Sequence, residues 1–296
     1  MNTLSLNLDT NYVLNVDELV KLETIQSLWS GYGTIERVAE GGGSNATAIL
    51  KHIRLGEMRG IDGAISHRRK HTSYLVEIAW YRQYSHRCDG SCRVPRYWAS
   101  SISESELVIL LEDLDAAGFP LRREHLSRDD MDACLYWLAN FHATFMNTPP
   151  DGLWPIGTYW HLTTRAEELR VMPKGRLKKK AHKLDEKLNA ARFQTLVHGD
   201  AKPENFCFSK DGWVAAVDFQ YVGRGCGMKD VAYFLWGMSP KRADEMVSLY
   251  FEHLGAAMKP RHPEVDFDAL ENEWRGLYPA ACEDFERFLK GWFALR

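Results

Sequence analysis

Residues 196–220 read LVHGDAKPENFCFSKDGWVAAVDFQ: a loop holding His198, Asp200, Lys202 and Asn205, then an apparent hairpin, then Asp218. FCF (206–208) and WVAAVDF (213–219) are strand-like runs, and the SKDG between them ends in Asp-Gly, a strong hairpin-turn signal. A strand of about four or five residues runs roughly 15 Å outward at ~3.3 Å per residue, and its partner runs the same distance back. The hairpin therefore predicts that Asp218 returns to the end that carries Asp200 and Asn205. Two carboxylates and one amide oxygen converge there, beside a lysine. Such a set suits a hard divalent cation, because Mg2+ prefers oxygen ligands and is usually held by one or two protein groups plus phosphate oxygens. An acid left free of the metal can orient a hydroxyl and accept its proton as a phosphoryl group arrives. The plainer alternative makes Asp200 and Asn205 turn formers and Asp218 a strand-end cap in a surface loop.

The 296 residues, 45% apolar and 26% charged, have the make-up of a globular chain of one large or two modest domains. A net charge of −3 gives no electrostatic case for nucleic acid as a partner. Two local basic runs stand out, HRRKH at 67–71 and RLKKKAHK at 176–183; the second continues into LDEKLNAARF and reads as the solvated face of a helix. The N-terminus shows no basic segment followed by an apolar block, so no signal peptide is expected. The longest apolar runs, LVILL and VAYFLW, are too short to span a bilayer. Cys88, Cys92, Cys134, Cys207, Cys226 and Cys282 follow no disulfide-framework spacing. His86, Cys88 and Cys92 lie together in HRCDGSC, but no second cluster with metal-ligand spacing follows. A reduced, cytoplasmic setting and no membrane partner are the expectations.

The first third looks strand-rich. TIQSLWSGYGTIERVAEGGGSNATAILKHIRL (24–55) carries three short strand-like runs separated by glycine clusters. A polar stretch, GEMRGIDGAISHRRK (56–70), leads to HTSYLVEIAWYRQY (71–84), where Thr72 or Ser73 is expected to cap a helix. ELVILLEDL (106–114) reads as a buried strand ending in acids. Beyond it the texture turns helical: Ser127 and Asp130 form a capping-box-like start for 127–146, and further helical patterns cover 177–192, 229–238, 241–258 and 267–295. The expected division is a small β-rich unit, 1–113, and a larger helical one, 114–296.

HGDAKPENF followed by VDFQ resembles the catalytic loop of kinases, H-R-D-x-K-x-x-N and then D-F-G. In its H-G-D-x4-N and D-F-Q form it is similar to the aminoglycoside phosphotransferase and choline-kinase-like superfamily, especially the ecdysteroid-kinase-like branch. DFQYVGRGCGMKDVAYFL (218–235), with Asp230 opening a helix after the loop, matches that branch too. The resemblance implies an α+β, protein-kinase-like fold of two lobes. It implies Asp200 as catalytic base or hydroxyl-orienting acid, Lys202 beside the transferred phosphate, Asn205 and Asp218 as Mg2+ ligands, and His198 and Asp230 as braces of the loop.

In a kinase-like lobe a lysine on the third strand contacts phosphates, and a glycine loop joins the first two strands. TAILKHI supplies Lys51, and counting back makes SGYG (30–33) the first turn and GGGS (41–44) the second. Gly31 and Gly33 are therefore favoured for close approach to phosphates, although SGYG departs from the fuller G-x-G-x-x-G pattern. Glu77, the one acid in SYLVEIAWY, is the expected partner of Lys51. The main chain from Glu112 to Leu114 would pair with the adenine edge.

YVGRGCGMKDVAYFL imitates a dinucleotide-binding turn, but Met228 stands where the third glycine belongs and no βαβ unit follows. Gly199 replaces the arginine that receives a phosphorylated activation loop in protein kinases, and 218–230 leaves no room for such a loop. A small-molecule phosphotransferase using ATP and Mg2+ is the expected function, with a hydroxyl on a metabolite, natural product or antibiotic-like acceptor. The alternative is a catalytically silent, kinase-like nucleotide- or partner-binding protein. Trp160, Tyr221, Trp274 and Trp292 are candidates for an acceptor wall, with Arg165 or Glu283 orienting a polar group; such a box with an acid would suit a quaternary amine. The sequence leaves open the acceptor, the choice between ATP and GTP, and the oligomeric state.

Overall fold

Glu106–Glu112 (β6) is buried at all five residues from Leu107 to Leu111, so it needs strands on both edges and cover on its faces. Thr47–Arg54 (β4) and Tyr97–Ile102 (β5) supply the edges. With Gly33–Glu40 (β3), Leu19–Ser27 (β2) and Asn7–Leu8 (β1) they complete an antiparallel sheet of order β1-β5-β6-β4-β3-β2. The computed structural model describes residues 7–8, 19–28, 31–40, 46–54 and 61–295. The GGGS cluster of 41–44 lies outside the described residues. Lys51 is indeed on the third strand of the glycine-punctuated run, with Ile35 and Ile109 as its cross-strand neighbours.

One helix packs on this sheet, Ile61–Gln83 (α1). It begins more than two turns before the expected caps, and Thr72 and Ser73 lie inside it. Ser73 Oγ donates to the Lys70 carbonyl and meets Gln220 Oε1 at 3.2 Å, so its hydroxyl serves another segment rather than a helix end. The polar residues of 66–73 hid the helix because several of them face a cleft instead of solvent or core, which erases the usual apolar period.

The C-terminal region is helical: Arg128–Thr144 (α2), Ala166–Val171 (α3), Arg176–Asn189 (α4), Met228–Phe234 (α5), Pro240–Arg261 (α6) and Phe267–Leu295 (α7). The capping box at the start of α2 is formed, with Ser127 Oγ accepting from the Asp130 amide and Asp130 accepting from the Ser127 amide. Helix α2 packs along α6, while α3, α4 and α5 pack on α7. Two small antiparallel pairs lie between these helices and the sheet. Thr195–Val197 (β7) pairs with Gly223–Gly225 (β10), and Phe206–Phe208 (β8) pairs with Val214–Ala216 (β9). The dinucleotide-like glycines have a packing role: a Cβ at Gly223 would run into the Trp154 carbonyl oxygen, and one at Gly227 into the Trp274 ring.

The sheet region and the helical region share one core. Trp80 of α1 stacks on Phe219 with ring centres 4.5 Å apart, and Phe219 lies 4.6 Å from the His198 ring. Among the described residues no helix is long and apolar enough to cross a membrane. Since Trp80 is fully buried, Trp80→Ala is expected to lower the unfolding free energy by about 3–5 kcal/mol in urea titration. Trp213→Ala, at a 58% exposed ring, is expected to change it by no more than about 0.5 kcal/mol.

Candidate active site

The loop after β7 is held from beneath by one carboxylate. Asp230, fully buried in the first turn of α5, accepts the His198 amide at 2.6 Å on one oxygen and the Gly199 amide at 2.9 Å on the other. His142 of α2 reaches the first oxygen at 3.1 Å through Nε2, and its Nδ1 meets the Tyr250 hydroxyl at 2.8 Å. His198 then works as a spacer: its Nε2–H donates to the Val217 carbonyl at 3.0 Å, and its Nδ1 accepts the Asp200 amide at 3.2 Å. That tautomer is the neutral one, and burial pushes its pKa down. Gly199 has φ +81°, and a Cβ there would run into the Tyr221 carbonyl oxygen, so glycine alone fits beneath Asp200.

Asn205 ends a single 3-10 turn, Pro203–Asn205. Its Nδ2 donates to the Asp200 carbonyl at 2.7 Å and to Asp200 Oδ2 at 3.2 Å, which leaves Oδ1 as the acceptor still available. The backbone of Val217 donates to the Asn205 carbonyl at 3.0 Å and so brings Asp218 alongside. The hairpin does this with strands of three residues each, shorter than the spacing suggested. Asp218 has φ +69°, a left-handed conformation uncommon outside glycine, and its Oδ1 is buried with no hydrogen-bond partner among the described residues. Lys51 Nζ stands 3.7 Å from that oxygen and 2.7 Å from Glu77 Oε2.

Charge follows from these contacts. Burial pushes Glu77 up to about 7, while Glu77 and Asp218 outweigh the burial of Lys51 and raise it; the 2.7 Å contact is that of an ion pair. Burial works against the Asp218 charge, but Lys51 and Lys202 overcome it and hold the carboxyl below its usual range. Asp200 goes the other way: burial pushes it up to about 7, opposed by Lys202, whose Nζ lies 3.4 Å from Oδ2. The two acids thus differ in role: Asp218 stays an anion, and Asp200 is a basic carboxylate suited to taking a proton. Among the described residues no group of three His, Cys, Asp or Glu side chains could hold a metal. The orphaned Asp218 oxygen and the free Asn205 oxygen still fit Mg2+, which takes one or two protein ligands when phosphates supply the rest.

These residues line one cleft of about 1090 Å³ between the sheet and the helices. Lys51, Glu77, Asp200, Lys202, Asn205 and Asp218 all border it, as do Gly31, Glu112 and Leu114. His198 and Asp230 lie behind it. At the connecting segment the Glu112 amide is taken by the Arg96 carbonyl, while the Leu114 amide has no acceptor among the described residues. Asp113 fastens that segment to the sheet through Arg37 at 2.7 Å and Thr47 at 2.7 Å. Gly31, at φ +74°, leaves open space beside its backbone. Gly33 does something else: a Cβ there would strike the His52 carbonyl oxygen, so it serves the close pairing of β3 with β4.

Residues 25–266 match the model of the phosphotransferase enzyme family (APH). The chain belongs to this family. Phosphoryl transfer to a hydroxyl group comes with that membership, which does not single out the ecdysteroid-kinase-like branch. Among solved structures, macrolide 2'-phosphotransferase MphH from Brachybacterium faecium has a similar fold, at 14% identity over 98% of this chain and 89% of that one, with a TM-score of 0.51. Aminoglycoside-3'-phosphotransferase of type VIII matches at 17% identity over 87% and 94% (TM-score 0.48). Choline kinase LicA from Streptococcus pneumoniae matches at 12% over 94% and 92% (TM-score 0.44). No curated protein sequence matches the chain.

The far end of the cleft in this phosphotransferase differs from the expected acceptor wall. Tyr221, Arg165 and Trp292 border it. Trp160 does not: it is fully buried among Tyr233, Phe285 and Phe288, as a core residue of α7 packing. Trp274 is equally buried, with its Nε1 donating to the Phe193 carbonyl. Glu283 lies outside the cleft and pairs with Arg176 and Lys180 of α4, so the basic run 176–183 is partly neutralised from α7. In their place stand Arg69 and Lys70 from HRRKH, along with Tyr159, Glu167 and Glu168. The signal for Lys70 was available: it precedes Glu77 by seven residues, two helical turns on the same face.

Asp230→Ala would strand two buried amides and an imidazole, and a loss of about 3–5 kcal/mol in unfolding free energy is expected by urea titration. Gly199→Ala is expected to cost at least about 2 kcal/mol, while Gly31→Ala, which meets no neighbour, should cost about 1 kcal/mol from its φ alone.

Proposed function

We propose that this protein is a small-molecule kinase that uses ATP and Mg2+ and transfers the γ-phosphoryl group to a hydroxyl of a metabolite, natural product or antibiotic-like acceptor. The observation that carries the reading is the convergence of Asp200, Asn205 and Asp218 on one rim of the cleft, opposite the Lys51–Glu77 pair. In this reading residues 1–113 are the nucleotide lobe and 114–296 the catalytic and acceptor lobe. The Leu114 amide offers a donor to the base edge, and Lys51, held extended by Glu77, reaches the phosphates. Asn205 Oδ1 and Asp218 would hold Mg2+, which supplies charge neutralisation on the phosphate oxygens. Six free cysteines, four of them buried, support a reducing cytoplasmic setting.

Asp200 accepts a hydrogen bond from the acceptor hydroxyl and aims its oxygen at the γ-phosphorus. As the new O–P bond forms and the bond to the ADP oxygen breaks, the hydroxyl proton passes to Asp200 and ADP departs with the bonding electron pair. Lys202, beside Asp200, offsets negative charge on the moving phosphoryl group. Most of the rate comes from alignment and fixed charge, which is why the braces His198, Gly199 and Asp230 matter.

Asp200→Asn is expected to lower turnover by about 10²–10⁴-fold while calorimetric binding of ATP with Mg2+ persists. An unchanged rate would remove Asp200 from its role. Asp218→Asn is expected to weaken the Mg2+-dependent part of ATP binding; equal binding with and without the metal in the unaltered protein would sink the metal assignment.

A further inference from the structure

The aromatic rings that resemble a cage for a quaternary amine already surround a cation, and the chain itself supplies it. The Arg165 guanidinium lies 5.2 Å from the ring centre of Trp292, 5.5 Å from that of Tyr159 and 5.8 Å from that of Phe288. Its Nε donates to the Tyr159 carbonyl at 2.8 Å, and Nη1 meets Glu168 at 3.2 Å. The side chain is 9% exposed, so this cation is a fixed part of the wall. A quaternary ammonium entering here would meet an arginine where it needs an open ring face.

Two further cations border the cleft, Arg69 beside Arg165 and Lys70 between these arginines and the Lys51–Asp218 pair. Arg69 donates through Nη1 to the Thr164 carbonyl and through Nη2 to Ser66, but its Nε is buried with no partner among the described residues. Lys70 lies with Nζ 5.8 Å over the Tyr74 ring, and that ammonium makes no hydrogen bond or ion pair among the described residues. Burial and the neighbouring Arg165 charge both push Arg69 down, and burial pushes Lys70 down against the pull of Asp218. Glu167 and Glu168 face Arg69 and Arg165, and Asp218 faces Lys70, yet Arg69 Nε and the Lys70 ammonium keep donors that none of these acids takes. Glu167 and Glu168 also each keep one buried oxygen without a hydrogen bond, open to donors such as sugar-like hydroxyls. Tyr221 lines the cleft within the fields of both groups, Arg165 and Arg69 as well as Asp200 and Asp218.

A buried N–H left unpaired, beside an ammonium with no partner of its own among the described residues, is what an incoming anion would satisfy. We propose that the acceptor is a hydroxylated organic anion, whose carboxylate or phosphate group is received by Arg69 and Lys70 while its reacting hydroxyl meets Asp200. This rests on the kinase reading above and narrows it: the transferred phosphoryl goes to an acid, and not to a polycation or a quaternary amine.

The test uses the whole protein saturated with ADP and Mg2+, after calorimetry has measured ADP binding. The melting temperature is followed against inorganic phosphate, acetate and tetramethylammonium chloride at matched ionic strength, for the unaltered chain, Arg69→Gln and Lys70→Gln. Phosphate or acetate is expected to raise the melting temperature saturably, with the stronger of the two naming the anionic group, and tetramethylammonium is not. Each substitution is expected to weaken the anion about tenfold or more, as loss of a charge-assisted hydrogen bond would, without a parallel loss of ADP affinity. No saturable anion effect, an effect that survives both substitutions, or a tetramethylammonium effect would overturn the proposal. So would an equal loss of ADP affinity, which would assign Arg69 and Lys70 to the nucleotide. Failure of ADP to bind the unaltered protein is a separate outcome that overturns the kinase reading and this inference with it.

Discussion

A single carboxylate, Asp230, carries the geometry of the candidate active site. A buried charge is costly unless its lone pairs are taken, and here the His198 amide, the Gly199 amide and His142 take them. Its place in the first turn of α5 adds the favourable field of a helix N-terminus. From that anchor the order propagates through short hydrogen bonds. Fixing His198 lets its ring bridge the Asp200 amide and the Val217 carbonyl, and so sets the separation of the two acids. Asn205 closes the arrangement by binding Asp200 on one side and the Val217 amide on the other. Phe219, on the far side of His198, passes the same order to Trp80 and the sheet-bound helix α1.

The cleft is graded in charge. At its inner wall Lys51, Glu77 and Asp218 form a compact alternation in which each charge is matched by a neighbour within 4 Å. In the middle Asp200 and Lys202 are paired at 3.4 Å, and burial keeps Asp200 basic. At the outer end Arg165 is locked in an aromatic cage and paired with Glu168, and Arg69 keeps one donor unpaired among the described residues. Charges fixed in this way need no reorganisation when a charged group enters the cleft, which is the physical basis of preorganised electrostatics. The same helix face of α1 contributes Glu77, Tyr74 and Lys70 to the cleft, so its rotation sets both stretches of the lining together.

Much of this was legible in the sequence, and for a common reason. His198, Asp200 and Asn205 sit in the loop before one hairpin and Asp218 directly after it, and Lys51 is placed by counting strands from glycine turns; both are local patterns that backbone geometry enforces. Glu77 was recoverable as the one acid in an apolar helical stretch. The start of α1 was hidden because the residues of 66–73 look like solvent-facing loop when they line a cleft. Trp160, Trp274 and Glu283 illustrate the opposite error. An aromatic or acidic side chain carries no mark of which way it faces: α7 turned Trp274 into the core and Glu283 toward α4, and Trp160, in the turn before α3, is covered by Phe285 and Phe288 of α7.

The sequence by itself determined the α+β order of elements, the hairpin that returns Asp218 to Asn205 and the strand that carries Lys51, because each depends on spacing along a few residues. Only the tertiary structure decided that His142 supports Asp230, that Gly33 serves strand pairing, and that Arg165 fills its own aromatic cage beside Arg69 and Lys70. Those facts depend on side chains brought together from segments tens of residues apart, and no local period or propensity records such meetings.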